Sequence, residues 1–259
     1  MSTKKAKIEV LEKKQDYLKL KIENTEPAFA NALRRTILAE VPVMAIDEVI
    51  VYENTSPLFD EYLVHRLGLI PLTTDLKTYK MPEDCCGGNC SSCSAMLNID
   101  ESGPKMVYSS SIETNDPKIK PVSGKIPIIE LMEGQRLRVE AKAILGRGEK
   151  NVKWQSGNAS YKFMPTIEKQ KVKNEKEVVG SCPRKILKLE KKKIKMEKPW
   201  DCTLCMICNE KADGEMEIGQ DRTNIVFKIE TNGNMTAGET LKKAIEILSE
   251  KNKNLLKEL

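Results

Sequence analysis

Aromatic side chains are scarce in this sequence: 2 Trp, 6 Tyr and 4 Phe among 259 residues. Any hydrophobic core must therefore be filled by Leu, Ile, Val and Met. No apolar run approaches the ~20 residues of a membrane-spanning helix. The first residues, Met1-Ser2-Thr3-Lys4-Lys5, lack the apolar segment of a secretory signal. A strong charge of one sign is missing too. With 43 Lys and Arg against 38 Asp and Glu, the formal net charge is only +5. That excess does not by itself argue for nucleic-acid binding. The single histidine, His65, has no Ser, Cys or paired carboxylate beside it in a nucleophile pattern. It reads as a structural residue rather than a catalytic base. No nucleotide or flavin fingerprint is present. The expectation is a cytoplasmic, non-catalytic protein long enough for two or three domains.

Cysteine, by contrast, is plentiful and clustered. The chain has 8 Cys in two tight groups, which points to metal ligation in a reducing compartment rather than a disulfide framework. Cys202, Cys205 and Cys208 form a C-x2-C-x2-C run, and upstream lies a lone Cys182-Pro183. Two-cluster ferredoxins carry two runs of C-x2-C-x2-C-x3-C-P, in which the fourth cysteine of each run ligates the other cluster. Here the other three positions of the first run are Val172, Glu175 and Val178, and the fourth position of the second is Ala212. One complete ligand set remains: Cys182, Cys202, Cys205 and Cys208. The expected group is a [4Fe–4S] cluster, which oxidation would convert to [3Fe–4S]. Zinc is the competing occupant, since four thiolates suit its tetrahedral preference. The second group is Cys85, Cys86, Cys90 and Cys93, whose C-x2-C end resembles a zinc knuckle. Adjacent cysteines point apart in extended backbone, so joint ligation by Cys85 and Cys86 requires an unusual turn. Zinc, a disulfide and free thiols all stay open for this group.

Periodicity gives the rest of the chain. Residues 7–22 alternate as two strands of a hairpin. Pro27 opens a helix in which Phe29, Leu33 and Ile37 recur at four-residue spacing, and Pro42 bounds it. Val43 to Tyr52 reads as a strand and Phe59 to Leu69 as a short helix. Residues 95–160 hold short strands and turns. Ile186 to Glu197 alternates apolar residues with lysines and reads as one solvated strand. Asn224 to Glu230 is a further strand. Thr236-Ala237-Gly238-Glu239 is a capping box. The helix it opens carries Leu241, Ile245, Leu248, Asn252, Leu255 and Leu259 in a heptad seam, the pattern of a helix that packs on a partner subunit.

Four blocks carry a family resemblance. Phe29 to Leu38, with Leu33-Arg34-Arg35 followed by Val41-Pro42, resembles the N-terminal dimerisation helix of RNA polymerase alpha-type subunits. His65-Arg66-Leu67-Gly68-Leu69-Ile70-Pro71-Leu72 is similar to an element of the archaeal and eukaryotic branch. Gly146-Arg147-Gly148 with Lys153-Trp154 is similar to that branch's G-x-G…K-W region, and the terminal helix is the fourth block. With the ferredoxin-like insert, the resemblance is to the archaeal members.

The resemblance implies an α+β fold. A discontinuous dimerisation domain (1–45 and 218–259) would accept an inserted β-rich domain (46–165) and a ferredoxin-like cluster domain (166–217). It implies an assembly role. The chain would pair with the small subunit L, and the pair would bind small subunits N and P and support the catalytic subunits, with DNA reached only through the complex. Phe29, Leu33, Arg34, Arg35, Ile37, Leu241, Ile245, Leu248, Asn252 and Leu255 would form the partner interface, the two arginines through charge-assisted contacts. Related eukaryotic subunits bind zinc through C-x-C-x3-C-x2-C in the first cysteine loop. Cys86, Cys90 and Cys93 keep that spacing, but Asp84 stands where the first cysteine belongs. The alternative function is a ferredoxin-like electron carrier or redox-enzyme subunit.

Overall fold

The computed structural model describes residues 5–191 and 193–259. The chain begins with the expected hairpin, β1 (Lys7–Lys13) and β2 (Tyr17–Glu23). Helix α1 (Pro27–Ala39) starts at the proline whose fixed φ suits a first turn and ends before Pro42. Then come β3 (Val43–Asn54), α2 (Asp60–Gly68), β4 (Ser94–Ser102), β5 (Lys105–Tyr108), β6 (Glu113–Thr114), β7 (Pro127–Leu131), β8 (Arg136–Gly146) and β9 (Gly157–Gln170). The cysteine-bearing segment holds α3 (Glu175–Gly180), β10 (Leu187–Glu190), β11 (Lys193–Met196) and α4 (Ile207–Lys211). Strand β12 (Met216–Thr231) and helix α5 (Ala237–Glu258) complete the chain.

Two compact units divide these elements. One takes the chain up to Lys13, Lys19–Ala32 and Ser160–Lys228; the other takes Lys14–Leu18, Leu33–Ala159 and Ile229–Leu259. The segment 166–217 lies whole within the first unit, together with most of the N-terminal hairpin.

The second unit is organised by a sheet in the order β3-β8-β4-β6. Its antiparallel register pairs Val43 with Gly146 and Ser94 with Ile144. Alternate residues of β8, Leu137, Val139, Ala141, Ala143 and Leu145, point into one core with Leu63 and Leu67 of α2. Each leucine or valine buried there contributes roughly 1.5–3 kcal/mol. Aliphatic residues and methionine dominate this core, as the aromatic shortage requires, with Tyr79 its one aromatic member. The G-x-G…K-W block is a packing device of this unit. A Cβ on Gly146 would stand 2.3 Å from the Trp154 ring, and one on Gly148 would stand 2.1 Å from the Leu38 carbonyl. Trp154 donates its indole N–H to the Ile144 carbonyl at 3.2 Å. Lys153 pairs with Asp47 at 2.7 Å and lies over the indole face.

In the first unit the sheet order is β1-β2-β12-β9. A separate small core gathers Val172, Val178, Ile186, Leu187, Ile194, Ala212, Met216 and Ile218, with Cys182, Cys202 and Cys208 packed against it. The stretch read as one solvated strand is instead an antiparallel hairpin, Leu187 facing Met196 and Glu190 facing Lys193. The chain reverses at Lys191, which takes a left-handed φ of 50°. A lysine run concealed that turn, because it contains none of the usual turn residues.

Candidate metal centres and partner face

The loop from Pro82 to Cys93 gathers all four of its thiols. Cys85 adopts φ −138°, ψ −127°, and Gly87 and Gly88 follow at φ +73° and +95°. This is the unusual turn that adjacent ligands require, and it aims Cys85 and Cys86 into the same space. The four Sγ atoms lie within 4.8 Å of one another. The Cys85–Cys90, Cys86–Cys93 and Cys90–Cys93 separations are each 3.4 Å. A tetrahedron with metal–sulfur bonds of ~2.3 Å has edges of about 3.8 Å, so the set fits one zinc-sized ion. Cys93 is buried immediately before β4, and Cys85 and Cys86 are exposed. Burial raises the Cys93 thiol, but hydrogen bonds from the Cys90 backbone and the other three thiols outweigh it and bring it to about 6. Cys85 goes the other way, pushed up to about 12, chiefly by its hydrogen bond with Cys90. The same contacts thus lower Cys93 and raise Cys85 and Cys86, as befits thiols crowded into one site. Among the described residues no other group of three or more His, Cys, Asp or Glu converges so tightly.

The second set is spread over a longer stretch of chain. Cys182, Cys202, Cys205 and Cys208 all line one pocket, whose other walls include Pro183, Ile186, Leu187, Met196 and Ile218. Cys182 follows α3, and the run Cys202–Cys208 winds from a short turn into α4. Leu204 and Met206, between the cysteines, take left-handed φ of 57° and 62°, and this curls the loop around the cavity. The Leu204 N–H donates to Cys202 Sγ at 3.4 Å. Burial pushes the Cys208 thiol up, and the charges of Cys202, Cys182 and Cys205 push it further. Cys208 thus senses the other three cysteines across one apolar pocket. Thiolate donors around such a pocket suit a polynuclear iron–sulfur group. The positions that would ligate a second cluster are filled: Val178 and Ala212 are buried in the small core, with Val172 beside them. Glu175 lies in the first turn of α3.

The expected partner residues separate into two kinds. Leu33 and Ile37, 2% and 0% exposed, are buried in the chain itself, as is Ala30. The inner line of α1 is therefore Ala30-Leu33-Ile37, and Phe29 stays exposed beside it. Arg35 is exposed and Arg34 half-buried. On α5 the capping box is formed as expected, with Glu239 N–H donating to Thr236 Oγ1 at 3.2 Å and Thr236 N–H to Glu239 Oε2 at 3.1 Å. Ala237, Thr240 and Ala244 face inward. Leu241 and Leu248 are half-buried, while Ile245 (47%), Asn252 and Leu255 (57%) are exposed. Leu256 and Leu259 extend this apolar surface, and every residue from Lys251 onward is exposed. Lys251 pairs with Glu40 at 2.6 Å. His65 is exposed in the last turn of α2. Sequence reasoning missed the lysines beside the cluster loop, Lys19 and Lys162, because nothing in their spacing ties them to the cysteines.

The fold thus carries two cysteine groups and a terminal helix whose far end is apolar and exposed. The model of the RNA polymerase Rpb3/Rpb11 dimerisation domain matches residues 5–252, and the chain belongs to that family. A DNA-directed RNA polymerase subunit Rpo3 of Methanosphaera stadtmanae is 37% identical over 261 residues, covering 96% of this chain and 97% of its own. Rpo3 proteins of Pyrobaculum calidifontis and Pyrococcus furiosus are 38% and 36% identical and cover 96% and 97% of this chain. Among the described residues, no helix is long and apolar enough to cross a membrane.

Proposed function

We propose that this chain is a non-catalytic assembly subunit of an archaeal DNA-directed RNA polymerase, and that it pairs through α5 and the outer side of α1 with a small L-type subunit. The observation that carries this reading is the leucine-rich face of α5, anchored at its capped end and uncovered at its far end, in a chain of the Rpb3/Rpb11 dimerisation family. A face of that kind is unstable in water unless a partner covers it. Small subunits N and P and the large catalytic subunits would then assemble on the pair.

The Cys182, Cys202, Cys205 and Cys208 set holds a [4Fe–4S] cluster with a structural role. When bound, the cluster supplies four thiolate bonds that clamp a segment whose own apolar core is small. Cys85, Cys86, Cys90 and Cys93 hold one zinc ion. An electron-transfer role is the second reading, favoured by the cluster pocket itself. The loss of the second ligand set to Val172, Glu175, Val178 and Ala212 weighs against it, because it removes the relay of a two-cluster carrier.

Anaerobic affinity purification of the tagged chain from its own cells, washed in high salt, tests the proposal. Recovery of the large polymerase subunits with a small L-like chain is the expected result. Recovery alone, or with flavin- or nucleotide-dependent enzymes, would overturn it.

A further inference from the structure

Three lysines stand on neighbouring strands of the β1-β2-β12-β9 sheet: Lys19 on β2, Lys228 on β12 and Lys162 on β9. Lys19 is buried, and Lys162 and Lys228 are half-buried. Like charges on adjacent strands repel, and a desolvated ammonium needs an anion or a good acceptor.

The lysines meet the cluster loop at two consecutive residues. Lys19 Nζ pairs with Asp201 at 2.6 Å, and Lys162 Nζ donates to the Cys202 carbonyl, also at 2.6 Å. Asp201 closes the short turn Pro199–Asp201, and Cys202 is the first cysteine of the run. Two cations therefore meet a stretch of loop whose one carboxylate is Asp201, with Lys228 on the strand between theirs, and among the described residues the hydrogen-bond acceptor of Lys162 is a neutral carbonyl. Cysteines that ligate an iron–sulfur centre are thiolates, and a centre held by four of them is a net anion, which would supply the missing negative charge.

We propose that Lys162, flanked by Lys19 and Lys228, is a positioning residue for the iron–sulfur site: it fixes the backbone of Cys202 and supplies the positive charge that offsets the anionic centre. The proposal rests on the iron–sulfur reading of Cys182, Cys202, Cys205 and Cys208. Outer contacts of this kind govern how firmly a metal group is held. Nearby charge also sets the potential of an iron–sulfur centre, since an ammonium favours the more negative, reduced state.

The test uses the full chain co-purified with its partner and reconstituted anaerobically with iron and sulfide. Wild type is compared with Lys162→Met and Lys228→Met. Methionine keeps the aliphatic stem and removes the ammonium. Three quantities are read: iron and sulfide content, the rate at which a chelator bleaches the centre, and its midpoint potential. Lys162→Met is expected to bleach about tenfold faster and to move the potential negative. Lys228→Met, which removes charge without removing a contact to the loop, is expected to move the potential negative at a near-wild-type bleaching rate, and it carries the charge half of the test should Lys162→Met not fold. Wild-type bleaching and an unchanged potential in Lys162→Met would overturn the proposal, as would an unchanged potential in Lys228→Met. A wild-type chain that takes up no iron and sulfide would instead overturn the iron–sulfur reading beneath it.

Discussion

Cys85 and Cys90 hold their Sγ atoms 3.4 Å apart across a turn that also brings Cys86 to within 3.4 Å of Cys93. The chain has thus made a four-thiol site although its first cysteine is one position from the spacing of related eukaryotic subunits. Backbone conformation at Cys85 compensates for the shift. The expected outcome is one zinc per chain, distinct from the iron, with Cys85 a full ligand. Outer-shell changes alone weaken metal sites about 10–100-fold, so Cys85→Ser should weaken zinc at least that much in a competition titration. Asp84→Ala should leave the affinity unchanged. Equal zinc affinity in wild type and Cys85→Ser would remove Cys85 from the site.

Trp154 lies flat on Gly146, with no room for a Cβ between them. Gly146→Ala must displace the indole, and with it the Trp154–Ile144 hydrogen bond and the Lys153 contact above the ring. Overpacking of this kind costs about 1–3 kcal/mol. Chemical denaturation of the purified pair should show that loss, and Trp154 fluorescence should report the displaced ring.

Asp75 offers a test by pH. It accepts hydrogen bonds from Thr78 Oγ1 at 2.7 Å and the Lys77 N–H at 2.9 Å, and pairs with Lys118 at 3.0 Å. The Thr78 hydroxyl and Lys118 hold its carboxyl well below the usual range. A depressed native value means that the unfolded state takes up the proton first as pH falls. The stabilisation is therefore complete above the unfolded value of about 3.9 and declines as pH drops below it toward the native one. Asp75→Asn should cost about 0.5–1.5 kcal/mol at neutral pH, the net worth of hydrogen bonds whose donors, on Lys77, Thr78 and Lys118, are exposed. Its deficit relative to wild type should shrink below pH ~4. A deficit that stays constant with pH would show that the carboxyl is not depressed.

Much of this was legible in the residues, and the failures have physical causes. The capping box at Thr236 and Glu239 is a local device that depends on four consecutive residues, so spacing alone predicts it. The N-terminal hairpin and the α1 start at Pro27 are equally local. The cysteine run is visible because metal ligation restricts both residue type and spacing. The fate of the erased ligand positions is not visible. Val178 and Ala212 show only that no thiol is there, whereas their place in a core with Met216 and Ile218 depends on chain segments far apart in sequence. Lys162 is hidden for the same reason, since its contact with Cys202 spans two distant segments. The α1 stripe was half read: four-residue spacing selects Phe29, Leu33 and Ile37, but the helix turns Ala30 inward and leaves Phe29 outside. An alanine carries too weak a hydrophobic signal to correct that from sequence.

That division of α1 and α5 gives opposite expectations for substitutions that look alike. Leu33 is enclosed by its own chain, so Leu33→Ala removes buried contacts and leaves a cavity, at about 2–5 kcal/mol. The loss should appear in the stability of the isolated chain, whatever the partner does. Ile245 and Leu255 are about half exposed, and exposed substitutions of this kind change chain stability by about 0.5 kcal/mol or less. Ile245→Asp and Leu255→Asp should therefore leave the melting of the isolated chain nearly unchanged. In a subunit interface the same two changes bury an unpaired carboxylate, and each should weaken pairing with the small subunit by several kcal/mol. Co-purification and a binding titration against the small subunit read that loss directly, and circular dichroism with thermal melts reads the other axis. Should both aspartate variants bind like wild type, the leucine face of α5 is not the partner surface. Should they bind poorly and also melt early, the far end of α5 packs on its own chain in solution.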